Sequence, residues 1–194
     1  YGRALELLRG HHFHIWEGGA GIRNLWVEAN LLRGRLCLDE KRYMEGLGFF
    51  RAATTYPENL EVGPPSRGGE SAKALFLIAR AQEFSGDRSG AQASYINAAA
   101  VAGGWSEQSY FKGLALRKIG NESESVAQFD GLLKFAREKL QSSPAADFFE
   151  KFGERQSVRS EQGRLHLLAG LGLRGLKRGQ EAVREFEQAL ALNP

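Results

Sequence analysis

The chain has 194 residues, 42% hydrophobic and 25% charged, the balance of an ordinary soluble polypeptide with apolar area for a sizeable core, so disorder is not the default reading. Its 26 Lys and Arg against 23 Asp and Glu leave a net +3 spread along the chain, which argues against a dedicated nucleic-acid module. No run approaches the ~18 uninterrupted apolar residues of a membrane span, and the single cysteine, Cys37, closes no internal disulfide and is expected as a small buried hydrophobe.

In chain order, residues 1–8 place Tyr1 and Ala4 at the offset of the second helix of a pair, an expected half repeat. The chain is therefore expected to start inside a repeat, with further sequence upstream. Residues 9–21 are expected as a loop, with Trp16 anchoring it and Gly18, Gly19 and Gly21 turning the chain. His12, His14 and Glu17 are the cluster in this sequence whose side chains suit a transition metal. On an extended segment the two histidines would point the same way, and on a helix they would diverge. Their spacing matches no known metal motif, so a packed or solvated histidine cluster is the expectation, with no cofactor, and metal the weaker alternative. A phosphate cradle at the glycines is excluded for want of a preceding strand.

Four windows then repeat one pattern: small residue, large residue three later, a second small residue, an aromatic four later, and a small residue three beyond. They are Gly34, Cys37, Gly46, Phe50 and Ala53; Ala79, Gln82, Ala91, Tyr95 and Ala98; Gly113, Leu116, Ser125, Phe129 and Leu132; and Gly170, Leu173, Ala182, Phe186 and Ala189, with Pro194 closing the last. The aromatic positions are spaced by 45, 34 and 57 residues, a 34-residue period with extra residues in two places. The units are residues 27–57, 72–103, 106–139 and 163–194, and the insertions 58–71 and 140–162, rich in Pro64, Pro65, Gly68, Gly69 and Pro144, are expected as loops. Small residues are needed where paired helices cross with axes ~8–10 Å apart, and the aromatic fills the space beside the crossing. Turns such as Ser85-Gly86-Asp87 and Gly120-Asn121-Glu122 mark helix, stop, helix.

These windows resemble the tetratricopeptide repeat family over about four fifths of the chain. The resemblance implies an all-α fold, an α-α superhelix or solenoid of antiparallel helix pairs. Gln82 and Leu132 depart from the family pattern, and the closing proline is missing after the second and third units. Residues 11–19 together with Tyr56-Pro57-Glu58-Asn59-Leu60 are also similar to the C-terminal repeat region of large uncharacterised bacterial proteins, in which a β-sandwich domain of unknown function precedes the repeats. That likeness implies a further N-terminal domain.

No nucleophile, base and orienting group occur together in the sequence, so the chain itself is not expected to be an enzyme. His166 is expected as a packing residue, and Glu150, Glu154 and Glu161 as solvated linker charges. The functional candidate is the inner face of the first helices. It carries Glu28 and Arg35; Lys73, Phe76, Arg80 and Glu83; Tyr110, Leu114, Arg117 and Lys118; and Arg164, Leu167, Leu171 and Arg174. Arginines that pair with carboxylates, set among apolar anchors, suit an acidic protein or peptide, or the further N-terminal domain. The carboxylate clamp of chaperone-binding members of the family is absent, because Leu31, Arg35, Leu77, Glu107 and Phe111 stand at its positions. The expected role is a protein-interaction or intramolecular docking scaffold. The alternative is an accessory part of a carbohydrate-related enzyme, with residues 11–19 and 56–65 helping to form a pocket that includes His12, His14, Trp16 and Glu17. The last unit has no further polar helix over its apolar edge, so a homodimer through it is a third expectation. Compartment is not legible, and the lean is to a soluble cytoplasmic chain.

Overall fold

A computed structural model describes residues 1–14, 19–63, 71–142 and 152–193, which hold helices, turns and connecting segments and no strand. The α-helices are α1 (Gly2–Gly10), α2 (Gly19–Asp39), α3 (Tyr43–Ala52), α4 (Ala72–Ser85), α5 (Arg88–Ala100), α6 (Glu107–Lys118), α7 (Glu122–Ser142), α8 (Phe152–Gly175) and α9 (Gly179–Leu192), with one 3-10 turn at Glu58–Leu60. The fold is thus all-α among the described residues, and none of these helices is long and apolar enough to cross a membrane. Two compact units divide it, Tyr1–Ala102 and Gly103–Pro194.

Four helix pairs, α2–α3, α4–α5, α6–α7 and α8–α9, are built alike. In three of them a glycine on the first helix lies under the aromatic ring of the second. A Cβ at Gly34, Gly113 or Gly170 would stand 2.4, 2.5 or 2.4 Å from Cε1 of Phe50, Phe129 or Phe186. Nothing larger than hydrogen fits there without moving a ring. In the fourth, Ala79 and Tyr95 are both buried. The sequence reading requires positions 50, 95, 129 and 186 to sit at matching interior sites, and Phe50, Tyr95 and Phe129 are buried while Phe186 is half-buried.

The turns match as closely. Each contains one residue with positive φ, Lys41, Gly86, Gly120 or Lys177, always nine positions before the aromatic. The following N–H returns to the carbonyl of the large residue of the pattern: Arg42 to Cys37, Asp87 to Gln82, Asn121 to Leu116 and Arg178 to Leu173, at 2.7 to 2.9 Å. This left-handed stop satisfies carbonyls that the end of an α-helix leaves unpaired. The chain then re-enters helix, and Asp87 caps α5 by accepting the Gly90 N–H.

In the first unit, α4 lies on α2–α3, and Leu31, Leu47, Phe50, Ala53, Ala74, Leu77, Ile78 and Ala81 share one core. Cys37 is fully buried, as expected, and burial raises its thiol pKa, with Glu45 adding to the effect. A second cluster joins Leu5 and Leu8 of α1 to Trp26, Ala29 and Leu60. The Trp26 indole N–H donates to the carbonyls of Ala52 and Thr55 at 2.9 and 2.8 Å, tying α2 to the end of α3. In the second unit, α8 lies on α6–α7, with Tyr110, Phe129, Leu132, Leu133 and Ala136 packed against Leu168, Ala169 and Leu173.

Three expectations are corrected. Residues 19–21 open α2 instead of turning the chain, because the apolar face marked by Ile22, Trp26 and Ala29 continues the helix back to them. Residues 58–63 do not form a plain surface loop, since Leu60 is buried and Val62 packs beside it. The second insertion, residues 140–162, was expected to be a loop, yet α7 runs to Ser142 and α8 begins at Phe152, as a stretch of Glu, Arg and Gln with no proline allows. Pro64, Pro65, Gly68, Gly69, Pro144, Glu150 and Pro194 lie outside the described residues.

Candidate functional site

The residues expected on an inner face divide into two groups. Phe76 and Tyr110 are buried within their own units and leave little surface for a ligand. Lys73, Arg80, Arg117 and Arg164 are engaged within the chain. Lys73 donates to both carboxylate oxygens of Glu28, at 3.1 and 3.2 Å. Arg80 lies over the Phe84 ring at 4.6 Å, with Glu83 3.9 Å from its Nε. Glu83 in turn accepts the Tyr95 hydroxyl at 2.7 Å. Burial, followed by that carboxylate, pushes the Tyr95 phenol pKa up.

Arg117 is the most structural of them. Its Nε donates to Glu122, its Nη2 donates to the Gly175 carbonyl at 3.0 Å, and its guanidinium sits 5.0 Å from the Phe129 ring centre. Arg164 makes a two-pronged pair with Glu161 at 2.7 and 2.6 Å, and its donated hydrogen bonds hold the Glu161 carboxyl below its usual range. Arg35 and Arg174 are exposed. His166 is half-buried, with Nδ1 2.7 Å from Glu185.

A groove of about 670 Å³ opens along α8 and α9, lined by Gly163, Arg164, Leu167, Phe186, Ala189 and Leu190 among others. Leu190 and Leu167 are 67% and 40% exposed. The residues 57 positions earlier, Leu133 and Tyr110, fall to 3% and 8% because α8 lies across them. It comes close there through two glycines. A Cβ at Gly172 would meet Leu133 Cβ at 3.0 Å, and one at Gly175 would meet the Phe129 ring at 2.2 Å. The groove on α8–α9 is therefore the surface that α8 covers on the preceding pair, left open among the described residues. The sequence reading placed Arg164 and Leu167 on this side but not Ala189 or Leu190, although the period alone aligns them with Leu132 and Leu133.

Compared with models of known protein families, the chain matches none.

The two segments assigned to a pocket do meet. Phe13 N–H donates to the Asn59 carbonyl at 2.7 Å, and the Asn59 amide donates to the carbonyls of Leu8 and His11 at 2.8 and 2.7 Å. His12 and His14 stand edge to face with ring centres 5.0 Å apart, as an extended segment requires. The acid they share is Glu61, with Oε1 2.9 Å from His12 Nε2 and 3.6 Å from His14 Nδ1. Trp16 and Glu17, the other members of the expected pocket, lie outside the described residues. Glu61 carries no signal in the sequence, because it stands 49 positions from His12.

Proposed function

We propose that the chain is a tetratricopeptide-type interaction scaffold, its helix pairs stacked in a superhelix, and that its docking site is the α8–α9 groove. The occupant is an amphipathic helix, brought by a protein partner or docked intramolecularly from elsewhere in the same protein. One observation carries this reading. The side chains lining the groove are the counterparts of those that α8 buries on α6–α7, so the surface already has the relief of a helix-binding site.

The same comparison describes the partner. Its helix carries small residues three apart, to pass over Phe186 and Leu190 as Gly172 and Gly175 pass over Phe129 and Leu133, with leucines on either side. An acidic peptide on the inner face is a weaker reading, since it would compete with Glu28, Glu83, Glu122 and Glu161 for the same cations. The accessory-enzyme reading draws support from one contact alone, that of residues 11–14 with residues 56–63.

A fluorescent peptide copying residues 163–177 tests the docking site, being the helix that fills the equivalent groove. It should bind the full chain with a dissociation constant of about 10–100 μM, and Leu190→Asp in the protein should weaken binding at least about tenfold. Leucine at the peptide positions that copy Gly172 and Gly175 should abolish it, because the helix could no longer approach. Equal binding by the leucine-substituted peptide, or by the Leu190→Asp protein, would refute the groove as the site. Concentration-dependent dimers that Leu190→Asp dissolves would identify the occupant as a second copy instead.

A further inference from the structure

The geometry points to a zinc site formed by His12, His14 and Glu61, on a corner of the first unit away from the helix pairs' interlocked rings. The ligand set is two imidazoles and one carboxylate, which suits Zn²⁺ and related divalent transition ions and does not suit Mg²⁺ or Ca²⁺, whose ligands are oxygens.

Distances support the assignment. Zn²⁺ holds imidazole nitrogen and carboxylate oxygen at about 2.0–2.1 Å in a tetrahedron, so its ligand atoms stand about 3.3 Å apart. The Glu61 oxygen lies 2.9 Å from His12 Nε2 and 3.6 Å from His14 Nδ1, one on each side of that value. All three potential ligand atoms lie within 4.8 Å of one another. All three residues are exposed, so water can fill the remaining position.

The scaffold around the cluster fixes where each ligand points. His11 leaves α1 in an extended conformation, so alternation turns His12 and His14 to one side, while Phe13 packs into the cluster around Trp26 and Leu60. Asn59 ties both ends of this short segment, through Leu8 and His11 on one side and Phe13 on the other. Leu60 anchors the 3-10 turn in the core, and Glu61 follows with φ 46° and ψ 33°, a left-handed conformation that non-glycine residues seldom adopt. That backbone brings its carboxylate back over the histidines. His11 takes no part, since its ring packs on Phe13 at 4.5 Å.

The test uses the untagged full chain and the metal alone. Titration with Zn²⁺ should show one equivalent bound in the micromolar range, and saturating Zn²⁺ should raise the midpoint of thermal unfolding by roughly 5 °C, because the ion joins two segments far apart in sequence. Ca²⁺ and Mg²⁺ should do neither. His12→Ala and His14→Ala should each weaken binding at least about tenfold, Glu61→Gln about tenfold, and His11→Ala should change nothing. Co²⁺ should give the intense visible bands of a tetrahedral centre in the native protein, a reading independent of any variant. Absence of stoichiometric Zn²⁺ uptake, absence of those bands, or uptake that survives in the correctly folded His12→Ala/His14→Ala double variant would each overturn the assignment.

Discussion

Gly113 and Gly170 occupy the same position of the repeat but not the same surroundings, and a methyl group distinguishes them. At Gly113 the added carbon meets a ring that is fully buried, held between Tyr110 on one side and the Arg117 guanidinium on another. At Gly170 it meets Phe186, which is half-buried and has room to swing into the groove. Both changes gain roughly 1 kcal/mol of helix preference. Overpacking costs about 1–3 kcal/mol where neighbours cannot yield. Gly113→Ala should therefore lower stability by about 1–2 kcal/mol and Gly170→Ala by less than about 0.5 kcal/mol, measured by urea unfolding. Equal effects would mean that the second ring is as firmly held as the first. Ser125 belongs to the same site, its buried hydroxyl donating to the Gly113 carbonyl at 2.8 Å, so a small residue here is also a polar tie between the two helices.

At the scale of the element, the four helix–turn–helix joints share a hydrogen-bond pattern, yet glycine supplies the left-handed residue in only two. Lys41 and Lys177 take φ near 60° at the others, a conformation that costs an ordinary L-residue roughly 1–2 kcal/mol, part of which glycine would return through its greater freedom when unfolded. Lys41→Gly and Lys177→Gly should each raise stability by up to about 1 kcal/mol, whereas Gly86→Ala and Gly120→Ala should lower it. A loss on changing either lysine to glycine would show that its side chain contributes more than its backbone costs. These joints show what the sequence made legible. The spacing of Gly34, Cys37, Gly46 and Phe50 and its three echoes identified the helix pairs, because a close crossing demands small residues at fixed intervals. The turn at Lys41 and the turn at Lys177 lack glycine and gave no local signal, although the period placed them. Gly19 to Gly21 misled for the opposite reason: glycines usually mark breaks, but here the first turn of α2 tolerates them while Ile22 and Trp26 bury its face. At the candidate sites, alternation brought His12 and His14 to one side, whereas Glu61 arrives by a fold-back that no local pattern encodes. The expected inner face did not include the intrachain partners of its cations, since Arg117 meets Gly175 from 58 positions away.

For the molecule as a whole, the division at Ala102 and Gly103 leaves each unit with its own packed interior among the described residues. The net charge of +3 is small, and much of the positive charge of α4, α6 and α8 is already matched by neighbouring carboxylates, so the docking proposed for α8–α9 would rest on apolar shape rather than on overall charge. The units also differ in chemistry, since Cys37 is the sole sulfhydryl of the chain and lies in the first. Buried between α2 and α3, with its proton held more firmly by burial, it is a natural stopwatch: a thiol reagent in excess can reach it only when that region opens. Labelling under native conditions should be slow and should quicken with Phe50→Ala in the same interior, but not with Phe186→Ala in the second unit. An equal acceleration by both would mean that the whole chain opens as one cooperative body.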